Sequence, residues 1–320
     1  MTVSLALRDH PSISLTTRTR LKKLAAAQGY RPDPAIAKLM HHLRTRRAQR
    51  VQSTLCGLCL KSVVPKASHD YPTEVAEGAR SRADALGFRF DTIVINEDGL
   101  TPRRLQRILV SRGVDGVVLL PMSAPVQLAG LFDWSLFAAV AATSSVLTPR
   151  LNTAIPDQFG NMLMLCRELA GRGLKRIGLV TLAEQDVRVD HRVMAVFAWH
   201  SRFGGGEAIS PFVMPRREPD KAALTDWIKA QAPEAIISDS EVDLDRISTL
   251  LTPKERRRIV WASTSVLPSV ARYVGINEKA SEVGAAAVES VAAMIQRGER
   301  GLPATPRTTL IAGEYFEPKK

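Results

Sequence analysis

Cysteine and histidine are the side chains of this chain best suited to metal or redox chemistry, but their spacing supports neither. Cys56 and Cys59 form a C-x-x-C pair inside an apolar segment that predicts a strand, where residues three apart point to opposite faces. Redox pairs of this kind lie instead at a helix N-terminus, which stabilises the thiolate. The six histidines have no metal-site spacing. The sequence therefore predicts structural cysteines, no metal site and no cofactor.

Sequence motifs of nucleophilic and nucleotide-binding enzymes do not occur in the chain. We find no G-x-S-x-G motif, no P-loop and no dinucleotide-binding fingerprint. The glycine run Gly204-Gly205-Gly206 follows a predicted helix, whereas a phosphate-binding loop precedes one. We therefore predict that the protein is not an enzyme.

The composition is that of a globular protein and predicts a cytoplasmic location. The 320 residues are 45% hydrophobic and 24% charged. No uncharged apolar run reaches the length of about 18 residues that a membrane span needs, and the N-terminus lacks the apolar core of a secretory signal. Three cysteines cannot form a disulfide framework, which fits a reducing compartment.

Positive charge is concentrated at the N-terminus. Residues 1–50 contain 11 Lys and Arg side chains and two acids, Asp9 and Asp33, so they hold +9 of the total net charge of +12. A basic segment joined to a nearly neutral body is typical of a nucleic-acid-binding arm. The alternative is a solvated basic helix with no partner, and charge alone leaves both open.

Two helices are predicted within this basic segment. Ser14 can cap a helix over residues 17–28, which ends at Gly29. Asp33 and Pro34 have the residue types of the N-cap and first position of a second helix. The apolar side chains of that second helix recur on one face, at Ile36, Leu39, Met40 and Leu43.

From residue 53 onward, predicted strands alternate with predicted helices. Such alternation indicates parallel sheets covered by helices on both faces, and the region is long enough for two Rossmann-like lobes. The predicted strands are 53–60, 88–95, 114–120, 137–142, 177–180, 235–238 and 259–263, and the predicted helices are 73–86, 101–112, 161–172, 222–231 and 280–296.

Several short motifs are spread along nearly the whole chain. The segments Thr2-Val3-Ser4 and Gly29-Tyr30-Arg31-Pro32-Asp33-Pro34 resemble the second half of the DNA-binding headpiece of LacI/GalR-type transcription regulators. The matching segments that follow, in the family's order, are Arg112-Gly113-Val114-Asp115-Gly116-Val117-Val118, Pro156-Asp157-Gln158-Phe159-Gly160 and Gly275-Ile276-Asn277. The resemblance implies an α/β fold, a two-lobed effector domain of the type I periplasmic-binding-protein kind, preceded by a helical headpiece and a hinge helix.

The resemblance also implies three regions. Residues 1–31 would be a partial helix-turn-helix DNA-binding domain, residues 32–52 a hinge helix and basic linker, and residues 53–320 the effector-binding and dimerisation domain. The first helix of the helix-turn-helix would have to precede Thr2 and is missing from the sequence. Because that helix braces the recognition helix, we expect residues 1–320 to bind DNA weakly, with strong salt sensitivity and little sequence preference.

The DNA contacts implied by the resemblance lie in the headpiece and hinge. Leu39 matches the hinge leucine that wedges into the minor groove, although it could equally be a coiled-coil-like contact between two hinge helices. The residues predicted to contact DNA are Thr2, Ser4, Leu5, Arg8, Tyr30 and Leu39.

The effector contacts implied by the resemblance lie after the strands of the two lobes. Arg192 matches an arginine that binds effector hydroxyls, or is otherwise a surface charge. Asp157 and Asp239 are effector contacts or helix N-caps, and Tyr71 and Phe159 are cleft walls or core residues. The family often has an effector-binding aspartate after the strand that corresponds to Ile259–Val260. Here that stretch, Trp261-Ala262-Ser263-Thr264, has no carboxylate, which argues against a typical free hexose.

The function implied is a dimeric, cytoplasmic transcription regulator, a repressor, that binds a double-stranded DNA operator under control of a sugar-like effector. An effector-binding protein of the same fold that has lost sequence-specific DNA binding is the alternative.

Overall fold

Residues 13–27, 53–60, 70–207 and 209–318 are described by the structure, a computed structural model. The chain divides into two units, Met1–Gln52 and Ser53–Lys320. In the first unit, helix α1 is Leu15–Ala27. Its cap is the predicted one, because the Ser14 hydroxyl accepts a hydrogen bond from the Thr17 backbone N–H at 3.4 Å.

The sequence-based DNA contacts lie outside the described residues. This applies to the hinge helix and to all six predicted side chains, namely Thr2, Ser4, Leu5, Arg8, Tyr30 and Leu39. On α1, Leu15 and Leu24 are largely exposed, at 72% and 56%.

Strands and helices alternate through the second unit, and every element predicted there is present with boundaries within three residues. The strands are β1 (Thr54–Cys59), β2 (Arg89–Val94), β3 (Val114–Leu119), β4 (Val126–Gln127), β5 (Ala138–Ala141), β6 (Val146–Thr148), β7 (Asn152–Pro156), β8 (Ile177–Leu182), β9 (Phe212–Met214), β10 (Ala235–Ser238), β11 (Val260–Val266), β12 (Val274–Asn277), β13 (Thr308–Ile311) and β14 (Glu314–Phe316). The helices are α2 (Tyr71–Ala85), α3 (Pro102–Ser111), α4 (Gln158–Gly171), α5 (Ala183–Arg188), α6 (Arg192–Phe203), α7 (Lys221–Gln231), α8 (Glu241–Thr249), α9 (Pro253–Arg258) and α10 (Ala280–Arg297).

Two six-stranded sheets form the centres of two lobes. The first sheet has the order β13-β7-β5-β3-β1-β2, and all its neighbouring strands are parallel. The second has the order β14-β12-β11-β10-β8-β9, in which only the β12–β14 pair is antiparallel. The predicted two-lobed α/β architecture is confirmed.

Each sheet is covered on both faces, as buried parallel sheets require. In the first lobe, α2 and α10 pack on one face and α3 on the other. In the second lobe, α4 and α6 pack on one face and α7 and α8 on the other. The strands at the centre of each sheet are accordingly the most buried; in β1, for example, Leu55 and Leu58 have no exposed surface.

The chain passes between the lobes three times. The first crossover leads from β7 to α4, the second from β12 to α10 and the third from β13 to β14. The Asp157 backbone N–H donates to the Ile311 carbonyl at 2.9 Å, which joins the first crossover to the third. Lys279 Nζ lies 3.3 Å from Glu314 Oε2, which joins the second to the third. The lobes are therefore connected by three adjacent segments.

Candidate functional site

A cleft of about 300 Å³ lies between the lobes, at the carboxyl ends of the strands of both sheets. The first lobe contributes residues that follow β3 and β5, such as Met122 and Ser144. The second lobe contributes residues at the carboxyl ends of β10, β11 and β12, such as Asp239, Ser265 and Glu278. Ligands of open α/β sheets bind at this position, because loops from several strands meet there.

Two of the five predicted effector residues, Tyr71 and Asp239, line this cleft. Tyr71 begins α2, whose N-cap Asp70 accepts a hydrogen bond from the Thr73 backbone N–H at 2.9 Å. Burial raises the pKa of Tyr71 well above its usual value, and the nearby Glu278 carboxylate adds to the shift. The cap thus positions a protonated phenol at the cleft wall.

Asp239 is held rigidly at the end of β10. The Thr181 hydroxyl lies 3.0 and 2.8 Å from its two carboxylate oxygens, and the Leu182 backbone N–H donates to Oδ2 at 3.1 Å. Burial raises its pKa to about 6, although these hydrogen bonds oppose the shift. Asp239 does not cap the helix that follows; Ser240 does, by accepting from the Asp243 backbone N–H at 3.2 Å.

The other three predicted effector residues do not line the cleft. Asp157 is the N-cap of α4, with Oδ1 accepting from the Gly160 backbone N–H at 3.0 Å. Phe159, in the first turn of the same helix, is 49% exposed. Arg192 donates to Gln158 Oε1 at 3.4 Å and to Asp190 Oδ2 at 3.5 Å. Arg192 itself does not line the cleft, but it is hydrogen-bonded to Gln158, which does.

The sequence interpretation missed Arg188, which lines the cleft at the end of α5. Its Nε donates to Gln185 Oε1 at 2.7 Å, and among the described residues its two terminal nitrogens have no hydrogen-bond partner. Its positive charge lowers the pKa of Tyr71, Asp239 and Glu278 alike. Arg188 is thus a donor placed among the acidic groups of the cleft.

Glu278 was also missed, although it directly follows β12, where sheet ligands bind. Burial raises its pKa to about 7, while a hydrogen bond from the Ser265 side chain and the charge of Arg188 lower it. Glu278 supplies the carboxylate that the stretch after Trp261 lacks, from the neighbouring strand of the same sheet.

Two polar groups in the cleft are buried without a hydrogen-bond partner among the described residues, Asn161 Nδ2 and Ser144 Oγ. Buried polar groups are nearly always satisfied, because an unmade hydrogen bond costs about 1–3 kcal/mol. An unpartnered donor and an unpartnered hydroxyl in one cleft indicate a polar ligand.

Metal or thiol chemistry has little support in the part of the chain that the structure describes. No group of three or more His, Cys, Asp or Glu side chains there could hold a metal ion. Cys56 and Cys59 pack on opposite faces of the first sheet, as predicted. Burial raises the pKa of Cys56 to about 12 and that of Cys59 to about 11, so neither forms the thiolate that reactive cysteines need.

Glu278 is expected to make the unliganded protein less stable as pH rises. Its pKa is about 7 in the folded protein against 4.5 normally, so the folded state binds the extra proton between these pH values. The free energy of unfolding therefore falls as pH rises through this interval. Relative to Glu278→Gln, the parent should lose on the order of 2 kcal/mol between about pH 5 and pH 8 in urea denaturation.

The control for this experiment is Glu289→Gln, which alters an exposed ion pair with Arg82 on the helices α10 and α2. It should keep the pH dependence of the parent. If Glu278→Gln and the parent lose the same free energy over this range, then Glu278 is ionised in the folded protein throughout.

Comparison with known proteins identifies the fold. No protein-family model and no curated protein matches the chain. Among solved structures, the lac repressor bound to ONPG in its repressed state is 14% identical with a TM-score of 0.61, covering 99% of this chain and 94% of its own. The lac repressor dimer bound to operator and the anti-inducer ONPF is 15% identical, with a TM-score of 0.59. The match covers 99% of this chain and 93% of the lac repressor chain.

Two further regulators are similar over most of the chain. The complex of the transcriptional regulator CelR with cellobiose is 14% identical, with a TM-score of 0.60, and covers 99% of this chain and 94% of its own. A regulatory protein of the LacI family from Chloroflexus aggregans is 15% identical, with a TM-score of 0.59. The match covers 82% of this chain and 96% of the Chloroflexus chain. Among the described residues, no helix has the length and apolarity needed to cross a membrane. The chain has the fold of the LacI-family transcription regulators, two α/β lobes with a cleft between them.

Proposed function

We propose that the protein is a DNA-binding transcription regulator, a repressor, that responds to a small molecule bound between its lobes. The observation that carries the proposal is the cleft, where one buried polar group from each lobe, Ser144 Oγ and Asn161 Nδ2, has no partner in the described chain. A ligand that satisfies groups from both lobes favours one relative position of the lobes, which is the requirement for an allosteric effector.

The effector that best suits the cleft is a sugar or sugar derivative. Arg188 and Asn161 offer hydrogen-bond donors, and Glu278 and Asp239 offer carboxylate acceptors. Tyr71, Met122 and Met162 add apolar wall surface. Donors and acceptors together with apolar surface suit a molecule with several hydroxyl groups. CelR, of the same fold, binds the disaccharide cellobiose.

Within this site we assign direct contacts to Tyr71, Asp239, Arg188 and Glu278. Arg192 acts on the effector through Gln158, with which it shares a hydrogen bond. Asp157 fixes the start of α4 and thereby the position of Gln158, and Phe159 lies on the outer side of the same turn.

The DNA-binding part of the proposal rests on the first unit of the chain. Residues 1–31 would contact double-stranded DNA, residues 32–52 would connect them to the effector domain, and residues 53–320 would bind the effector and a second copy of the chain. The high positive charge of residues 1–50 suits a phosphate backbone. The lac repressor of the same fold binds its operator as a dimer. A repressor of chromosomal genes would work in the cytoplasm, where the three free cysteines stay reduced.

A selection experiment tests the DNA-binding part. Purified residues 1–320 are incubated with a library of randomised DNA duplexes, and the bound fraction is amplified and sequenced over several rounds. A regulator with a working DNA-binding domain would enrich one sequence that binds at least about tenfold more tightly than a scrambled duplex. The weak binding with little sequence preference that the sequence predicts for residues 1–320 would enrich none. If no sequence is enriched while the cleft still binds a ligand, the protein is an effector-binding protein without sequence-specific DNA binding.

A further inference from the structure

The side chain of Asn161 bears on which effectors the cleft accepts. This inference rests on the proposed function. Asn161 lies in the first turn of α4, immediately after the first crossover, and is 3% exposed although it lines the cleft. Its Oδ1 accepts the Gly313 backbone N–H at 2.9 Å. Its Nδ2 is buried and has no hydrogen-bond partner among the described residues.

The orientation of this amide is determined by the third crossover. If the amide were reversed, its NH2 group would face the N–H of Gly313, and two donors would oppose each other. The carbonyl oxygen must therefore face Gly313, and the NH2 group lies on the other side of the amide, in a residue that lines the cleft.

Gly313 also holds the amide in place. A Cβ at this position would lie 2.8 Å from Asn161 Oδ1, 2.8 Å from the Asn277 carbonyl oxygen and 2.6 Å from Ile276 Cγ2. The third crossover thus fits closely between Asn161 and the end of β12, and only glycine leaves room for it. As a result, the amide of this cleft-lining residue keeps its NH2 group as a donor that cannot turn into an acceptor.

We propose that Asn161 is a specificity-determining residue whose Nδ2 donates a hydrogen bond to an oxygen of the effector. The effector must present a hydroxyl, carbonyl or carboxylate oxygen at this point of the cleft. A protonated amine there would place donor against donor and is excluded.

The test uses ligand binding by the parent and two variants. Glucose, cellobiose, gluconate and adenine are screened for a rise in Tm of the parent, since a ligand of the folded state raises it. The compound with the largest rise is then titrated calorimetrically into the parent, Asn161→Ala and Asn161→Asp. Asn161→Asp keeps the acceptor for Gly313 but turns the donor into a second acceptor.

The order of the three affinities distinguishes a ligand contact from a purely structural role. If Nδ2 donates to the ligand, Asn161→Asp binds most weakly, by about tenfold or more relative to the parent, and Asn161→Ala lies between them. If Asn161 only holds Gly313, Asn161→Asp binds like the parent and Asn161→Ala binds most weakly, which would overturn the proposal.

Asn152 provides a matched control outside the cleft lining. Its Oδ1 also accepts a backbone N–H, that of Arg307 at 2.9 Å, but its Nδ2 already donates to Met294 Sδ at 3.6 Å. Asn152→Asp should therefore bind the compound as the parent does. A similar loss in Asn152→Asp and Asn161→Asp would show a general effect of the added charge and would reject the assignment.

A second measurement on the parent covers the case in which Asn161→Asp does not fold. The side-chain NH2 signals of Asn161 are assigned in a 15N spectrum by their loss in Asn161→Ala. The compound should shift these signals and leave those of Asn152 in place; unchanged Asn161 signals at saturation overturn the proposal. If no compound raises the Tm of the parent, the proposal of an effector with an oxygen at Asn161 is rejected. The proposed DNA binding is tested separately, by the duplex selection.

Discussion

Gly284→Ala is expected to lower the free energy of unfolding by about 2–3 kcal/mol, because α2 and α10 pack without room for a methyl group. A Cβ at Gly284 would meet the Val75 carbonyl oxygen and would lie 2.7 Å from the Ala79 backbone nitrogen. On the other helix, a Cβ at Gly78 would meet the Ser281 carbonyl oxygen. Backbone atoms cannot rotate away, so the two helices would have to separate.

Gly171→Ala is the matched control, measured by the same urea denaturation. Gly171 is the last residue of α4, and a Cβ there has no described atom within 4 Å. Because alanine favours helix over glycine, this variant should be unchanged or more stable by up to about 1 kcal/mol. Equal destabilisation of Gly171→Ala and Gly284→Ala would show that close packing of α2 on α10 is not the cause.

The second large effect is expected at Arg188. Arg188→Ala should weaken binding of the effector by about tenfold to a hundredfold, because a hydrogen bond from a charged group is worth about 1.5–3 kcal/mol. The terminal nitrogens of Arg188 lack a described partner and lie among the acidic groups of the cleft. Arg192, by contrast, is already bonded to Gln158 and Asp190. Arg192→Ala should therefore cost about threefold or less.

The comparison is made by calorimetric titration of the compound that most raises the Tm of the parent. Circular dichroism and sedimentation should show that both variants keep the fold and assembly of the parent. A larger loss of affinity for the compound in Arg192→Ala than in Arg188→Ala would identify Arg192 as the arginine that binds the effector, as the family resemblance implied.

The central strands and long helices could be predicted from sequence because their burial leaves a local pattern. The strand 114–120 ends in the apolar run Val117-Val118-Leu119-Leu120, and β3 is correspondingly buried. Of the edge strands, β2 was predicted, but β9, β13 and β14 were not, since each is short or lacks such a run. In β13, Leu310 is 52% exposed, and β9 has only three residues. These strands form because they can pair with the edge of an existing sheet, and the periodicity of the local sequence contains no information about that pairing.

The cleft could be predicted only in part. The family resemblance implied Asp239 and Tyr71 as cleft residues, and both line the cleft. Arg188 was not predicted, because α5 is short and the turn after it is unusual. Asp190 and His191 are both in the left-handed region, at φ of 56° and 58°. Two such non-glycine residues in succession depend on surrounding contacts, so no local rule indicates that this turn brings α5 to the cleft.

The central claim is that a small molecule in the cleft controls binding to DNA. The most direct measurement is fluorescence anisotropy of the duplex enriched by selection, titrated with the parent and with Arg188→Ala, each with and without the compound from the Tm screen. We expect saturating compound to change the DNA affinity of the parent by at least about fivefold, and Arg188→Ala to need about tenfold more compound for the same change. The same DNA affinity with and without saturating compound would contradict the account.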